Sequence, residues 1–498
     1  MQFSKPLKFF ASVVNVRALY GLDVVNVVKL GQDFAGPVLG FQWSPSSRLL
    51  LVADAERVRV VSAADDSFSA TIRNHAAAGT KPVYIGFGAS DAEICAVSPF
   101  GLKFSIFDLA TSKATEIGSP KGFAAASASR CFSFRPGTRH LALLTRAAGK
   151  DMVSIHSYPT RELHRSWAPD TVDAQGLAWS PDGRWLVVWD SPAQGHKVAF
   201  YTSDGHLFKT WLGPANPPPE DRDFALGAGI RTVQFSPDAR YLAIGDFSRS
   251  VCILNMASVT ETMRLRHPRT LAPRETLQTG PAIHTFLRTT QLISPAPAMR
   301  DNSESLHGSG CALLVFDPSS ALVATRLDDF PSTIWIWDVQ VTELRAVLLF
   351  HGNVAGLFWH PHIPESLLVK CEGDQYNGLV FVWDPLSEGP RSVDFAHHLP
   401  AAKGGGKPRA QWLGLEASDT PSVFFSDAQN YALASLCEPD RGPAPWGDPT
   451  IPGPRLLSER REESPLELVP ASRQRQEIPE LEEDDDLSEL EDTFVYKR

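Results

Sequence analysis

A turn-centred unit returns along most of this chain, and its period limits the possible folds more than any other feature. The unit is an aromatic residue, a Ser or other small polar residue, often Pro, then a tight turn and an apolar strand. It reads Phe41-Gln42-Trp43-Ser44-Pro45 before Leu49–Ala53, Phe132-Ser133-Phe134-Arg135-Pro136-Gly137, and Leu177-Ala178-Trp179-Ser180-Pro181-Asp182-Gly183. Further copies are Val233-Gln234-Phe235-Ser236-Pro237-Asp238, Val315-Phe316-Asp317-Pro318 and Phe358-Trp359-His360-Pro361, with a degenerate Ile85-Gly86-Phe87. The second aromatics fall at 43, 87, 134, 179, 235, 316 and 359, so the gaps are 44, 47, 45, 56, 81 and 43 residues. Four of these match the ~40–45 residues of one propeller blade.

Each copy continues into a second alternating run, for example Val58–Val61, Phe104–Phe107, Val251–Leu254 and Ile334–Trp337. Alternation over four to six residues is the mark of a half-buried strand. Several runs close on an aromatic and Asp: Phe107-Asp108, Trp337-Asp338 and Trp383-Asp384. That dipeptide ends the third strand of a blade in WD repeats. The chain therefore reads as an all-β WD-repeat β-propeller of about seven to nine blades. Trp43, Trp179, Asp182, Asp246, Trp337, Asp338, Trp383 and Asp384 are its blade-structural residues, the tryptophans as packing groups and the aspartates as turn caps.

The long gaps read as insertions, not as missing blades. One contains the Pro-rich run Pro214–Asp221, and Pro cannot serve a central strand. The other contains residues 264–308, with six Arg, three acidic residues and no clean alternation, read as a loop. An eighth, weaker copy is Trp412–Leu415 with Tyr431–Cys437. Val13–Leu30 reads as strands that either complete the last blade or form a truncated first one. The propeller is thus assigned to residues 1–437. Beyond it, Glu438–Pro454 holds six prolines in 17 residues, and Glu477–Asp492 holds ten acidic residues and no basic ones. Such a segment lacks the apolar surface to build a core, so 438–498 is expected to be a disordered Pro-rich and acidic tail. Its removal should leave thermal unfolding nearly unchanged; a fall in Tm above ~5 °C would show that it packs on the propeller.

Six widely spaced cysteines lack metal-ligand spacing, so they read as buried thiols, and no zinc is expected. No apolar run reaches the ~18–20 residues of a membrane span. The net charge of −10 argues against a nucleic-acid partner. No phosphate-binding loop, nucleophile elbow or His-Glu-x-x-His motif occurs: Lys403-Gly404-Gly405-Gly406-Lys407 lacks the spacing and hydroxyl of the first. His360-Pro361-His362 and His397-His398 read as structural, since His360 takes the Ser position of the repeat turn. The expectation is therefore no enzyme and no cofactor. The basic segment Arg264-Leu265-Arg266-His267-Pro268-Arg269 supplies Arg264, Arg266 and Arg269 as candidate partner contacts. Leu481, Leu487 and Leu490, set among acids, are candidate docking residues of the tail.

One block is more specific than the repeats. Lys150-Asp151-Met152-Val153-Ser154-Ile155, Glu162-Leu163-His164-Arg165, Asp170–Gly183 and Leu186-Val187-Val188-Trp189-Asp190, with Phe200–Gly205 beyond, follow in an order similar to that of the WD-repeat protein eight family of centrosomes and spindle poles. Val233–Asn255, His267-Pro268, Leu322–Asp338 and the start Met1-Gln2-Phe3-Ser4 extend the resemblance over residues 1–436. The resemblance implies a non-catalytic scaffold in the cytoplasm, at the microtubule-organising centre or spindle pole of the cytoskeleton. Its implied partners are a coiled-coil microtubule-anchoring protein and a minus-end-directed kinesin, with the γ-tubulin complex as a further one. The alternative reading of the same propeller is a translation-initiation-like scaffold that binds ribosomes or RNA.

Overall fold

In the computed structural model the described residues are 2–3, 7–8, 13–18, 22–30, 38–54, 56–73, 84–121, 131–214, 229–271, 277–282, 285–288, 292–295, 297, 310–387, 389–399, 408–413, 420–427 and 430–436. They form an all-β propeller of eight blades, each built on antiparallel strands. The first strands are Gly40–Trp43, Tyr84–Phe87, Phe132–Phe134, Ala174–Trp179, Ile230–Phe235, Cys311–Phe316, Val354–Trp359 and Arg409–Trp412. First strands of successive blades approach one another, so they are the innermost. Helix among the described residues is limited to short turns such as Pro99–Gly101, Pro192–Gln194 and Asp374–Tyr376.

The repeat turn explains itself locally. Ser180 Oγ accepts the Trp185 N–H at 3.0 Å, and Asp182 Oδ1 accepts Arg184 N–H at 3.1 Å, while Gly183 takes φ +69°. In the next blade Ser236 Oγ accepts Tyr241 N–H at 2.9 Å and Asp238 Oδ1 accepts Arg240 N–H at 3.0 Å. Asp317 and His360 stand in the Ser position and do the same work: Asp317 Oδ1 accepts Leu322 N–H at 2.8 Å, and His360 Nδ1 accepts Ile363 N–H at 2.9 Å. Where a side-chain acceptor follows the aromatic, it satisfies backbone donors that the turn leaves without strand partners.

Burial follows position within the blade. Second strands such as Trp185–Asp190 and Tyr241–Asp246 are buried almost throughout, because neighbouring blades cover both faces. The fourth strand Lys113–Gly118 alternates, with one face in solvent. Apolar clusters fill each junction from blade 1 to blade 8 in turn. None of the five described cysteines forms a disulfide, and all are buried; Cys437 lies outside the described residues. Burial pushes the Cys311 and Cys371 thiols up to about 12, so they stay protonated and unreactive.

Three details differ from the sequence expectation or refine it. The last blade consists of Arg409–Trp412, Ser422–Ser426 and Asn430–Ser435, and its outer position is taken by Gln2–Phe3 and Leu7–Lys8 pairing antiparallel with Asn430–Ser435. The two chain ends thus meet in one sheet, whereas Val13–Arg17 and Val24–Lys29 form a separate two-stranded hairpin. The 264–308 segment is not a loop throughout. Arg264 and Arg266 belong to the outer strand Thr260–Arg266 of blade 5, whose mixed burial hid it from periodicity. Further on, Leu277–Ala282 pairs parallel with Glu343–Leu349 and carries Thr285–Arg288, widening blade 6 to six strands. Residues 215–228, and 438–498 where the tail was expected, lie outside the described residues.

Candidate interaction face

Because strands alternate in direction, the connections entering each first strand and those between second and third strands emerge on one face. Acidic side chains organise these connections. Asp54 Oδ1 accepts Glu56 N–H at 2.8 Å and Arg57 N–H at 2.7 Å. Asp190 accepts Val172 N–H at 2.8 Å and Asp173 N–H at 2.7 Å. Asp246 Oδ1 accepts Ser248 N–H at 2.9 Å, and its Oδ2 meets His196 Nε2 at 3.0 Å, joining blades 4 and 5. Asp328 instead pairs with Arg231 of blade 5 and, at 3.1 Å, with Arg326.

The densest charge on this face lies between blades 3 and 4. Buried Lys121 Nζ reaches Asp151 Oδ2 at 2.5 Å and Asp173 Oδ1 at 2.8 Å, with Arg146 3.6 Å from Asp173. Asp151 Oδ2 also accepts Ala174 N–H at 2.8 Å, tying one blade to the next. These groups border a cavity of about 370 Å³ lined by Ser119, Lys121, Arg146, Asp173 and Gln175. Two cations face two carboxylates, so the cluster is internally balanced and acts as a clamp between blades. Among the described residues, no group of three or more His, Cys, Asp or Glu is placed to hold a metal ion, and no helix is long and apolar enough to cross a membrane.

Blade 6 carries a relay that sequence reasoning passed over. Trp337 Nε1 donates to Thr325 Oγ1 at 3.2 Å, His267 Nε2 meets the same oxygen at 2.8 Å, and His267 Nδ1 faces the Arg249 carbonyl at 2.8 Å. The network is consistent when Thr325 donates to Nε2 and the Nδ1–H donates to Arg249, which requires a neutral ring. Burial lowers the His267 pKa to about 4, against the weaker pulls of the Arg249 carbonyl and Asp246. The available signal was a His-Pro pair directly after an outer strand, in phase with Thr325 and Trp337.

The blade residues named from sequence take the following places. Trp179, Trp337 and Trp383 are buried; Asp338 Oδ1 caps Gln340 and Val341, and Asp384 Oδ1 caps Leu386 and Ser387. Trp43 departs from its expected packing role, being 43% exposed. Arg264 is not a free contact residue: its guanidinium pairs with Glu261 at 2.7 Å and is mostly buried. Arg266 and Arg269 are exposed, and Arg266 shares the strand Thr260–Arg266 with Arg264, two residues away. Leu481, Leu487 and Leu490 lie outside the described residues.

No family model matches the chain. It is 25% identical over 413 residues to WD repeat-containing protein WRAP73 of Mus musculus, spanning 77% of this chain and 84% of that protein. The chain is thus similar to this WD repeat-containing protein over most of both lengths. An uncharacterized WD repeat-containing protein of Schizosaccharomyces pombe is 20% identical over 450 residues, 85% of this chain and 86% of its own. The solved Dos1 propeller matches this propeller with a TM-score of 0.50, over 81% of this chain and 92% of the other; at 10% identity this shows the fold alone. A propeller of this kind is a protein-interaction scaffold.

Proposed function

We propose that this WRAP73-like propeller is a non-catalytic scaffold at the microtubule-organising centre. There it bridges a coiled-coil anchoring protein and a minus-end-directed kinesin, so that microtubule minus ends stay tethered during spindle assembly. The observation that carries the reading is the similarity to WRAP73 over 77% of the chain, which includes the ordered block Lys150–Gly205 of blades 3 and 4. The same block supplies Asp151, Asp173 and Asp190, which position the connections of the candidate interaction face. Every cysteine among the described residues is buried, so none is an accessible nucleophile.

The test is localisation with depletion. A tagged chain is expected to form foci at spindle poles, and its depletion to loosen minus-end anchoring. A tagged chain that stays diffuse through mitosis and co-sediments with ribosomes at low salt, with the association weakening steeply at moderate salt, would replace this reading with the ribosome-binding one.

A further inference from the structure

The cavity between blades 3 and 4 leaves hydrogen-bonding capacity unused on both signs of charge. Asp151 is 7% exposed; its Oδ2 accepts from Lys121 Nζ and the Ala174 N–H, while its Oδ1 has no hydrogen-bond partner among the described residues. The cation facing that oxygen is Arg146, whose Nε stands 3.9 Å away, and a second guanidinium nitrogen stops 3.6 Å from Asp173 Oδ1. Both separations lie beyond hydrogen-bond length, so the half-exposed guanidinium on the cavity wall keeps its donors open. Asp173 is better served, since its Oδ2 accepts from Gln175 Nε2 at 2.9 Å. A buried acceptor without a donor is costly, and a ligand that offers it one while accepting from Arg146 removes that cost.

Charge selects the ligand. Lys121 and Arg146 face Asp151 and Asp173, so the four charges of the cluster cancel. A ligand carboxylate would set three anions against two cations, and an ammonium would do the reverse; either leaves one charge uncompensated beside the buried Lys121–Asp151 pair. A carboxamide adds no charge. Its carbonyl can accept from Arg146 and its N–H donate to Asp151 Oδ1, with a small shift of the half-exposed Arg146 to admit it. The volume of about 370 Å³ is at the small end of ligand pockets and suits one side chain with the backbone that carries it. The rim is apolar. Ser119 N–H donates to the Leu102 carbonyl at 3.0 Å and Arg146 N–H to the Ser119 carbonyl at 2.9 Å, which places Leu102 next to the cavity. Leu102 and its neighbour Phe100 are 67% and 86% exposed, and Val172, beside Asp173 on the other side, is 65% exposed. Phe100 is held at φ +62°, which side chains rarely adopt, with its ring in solvent. We infer that the cavity receives a Gln or Asn side chain from an extended segment of a partner protein, whose adjoining apolar residues cover Leu102, Phe100 and Val172. This names one contact for the scaffold reading above and rests on that reading for the occupant being a protein.

The experiment uses the full chain and fluorescein-labelled peptides of about ten residues, with a Leu-Gln-Leu centre in Gly/Ser flanks and Leu-Glu-Leu and Leu-Lys-Leu peptides as controls. The Gln peptide is expected to rise in anisotropy on titration and to bind at least about tenfold more tightly than either charged control. Arg146→Ala removes a cation that makes no side-chain hydrogen bond among the described residues, so Tm should hold while the order of the peptides changes. The Lys peptide should then overtake the Gln peptide, because two carboxylates face Lys121 alone. The double variant Phe100→Ser/Leu102→Ser should weaken the Gln peptide about tenfold with unchanged Tm, because both side chains are exposed. Absence of binding, equal binding of the three peptides, or an unchanged order in Arg146→Ala overturns the inference. So does displacement of the Gln peptide by equimolar free glutamine, since a small molecule would then be the occupant. Gln-selective binding by a chain that is diffuse in cells keeps this inference and removes only the spindle-pole assignment; spindle-pole foci without such binding do the reverse.

Discussion

Glu93→Ala is expected to cost the propeller about 3–5 kcal/mol. Glu93 starts the second strand of blade 2, and Arg161 lies in the turn before the outer strand of blade 3. The two side chains are 5% and 2% exposed, and Arg161 holds Glu93 in a bidentate pair, Nε to Oε1 at 2.7 Å and the second nitrogen to Oε2 at 2.5 Å. Arg161 also donates to the Arg139 carbonyl at 2.8 Å and sits over the Tyr158 and Phe134 rings at 5.0 and 5.5 Å. Removing the carboxylate leaves a guanidinium dehydrated, and only one carbonyl and two ring faces partly compensate it. Denaturant unfolding of the single variant should show the full loss. The Glu93→Met/Arg161→Met pair should recover most of it, because an apolar contact of similar volume avoids burying charge. Equal losses in single and double variants would mean that packing, not the ion pair, holds this junction.

That pair also marks the boundary of what the sequence discloses. The turn chemistry is legible because it is local: a Ser two to five residues from the donors it must satisfy gives the same answer in any blade, and so Ser180, Ser236 and even His360 could be placed from spacing alone. Strand order followed from the period, and the degenerate Tyr431–Cys437 copy fell in the last blade for the same reason. Contacts across blades carry no such signal. Glu93 and Arg161 are 68 residues apart, and neither belongs to the repeat motif. Trp43 shows the limit most plainly, since its motif is as good as that of Trp179 while its burial depends on a preceding strand that the described chain does not supply. Closure escaped for a different reason: strands of two residues, Gln2–Phe3 and Leu7–Lys8, are too short to carry any period, so the longer Val13–Leu30 run drew the assignment. In the candidate face, the turn aspartates were legible as caps, whereas the Lys121 and His267 networks require three separate segments to meet.

Stability should fall between pH 6.5 and pH 4 in a manner that His267→Gln partly removes. The His267 ring is held neutral in the fold, its pKa lowered from 6.5 to about 4 by burial among Thr325, Trp335 and Trp337. In the unfolded chain the same ring titrates near its ordinary value. Between the two values the unfolded state binds a proton that the native state refuses, so the stabilisation is complete above pH 6.5 and disappears as pH drops through the folded value. The drop from 6.5 to about 4 corresponds to at most about 3 kcal/mol, and water entry in the native state would reduce that. His360, also lowered to about 4, and His156, lowered by burial, act with the same sign. The carboxamide introduced by His267→Gln can donate to the Arg249 carbonyl and accept from Thr325 without any proton to gain. The variant should therefore be somewhat less stable at pH 7.5, yet lose about 1–2 kcal/mol less than the parent on going to pH 5. Urea unfolding at both pH values reads this directly. Parallel losses in the two proteins would show that the imidazole titrates normally in the fold, and the neutral relay through Thr325 and Trp337 would have to be abandoned.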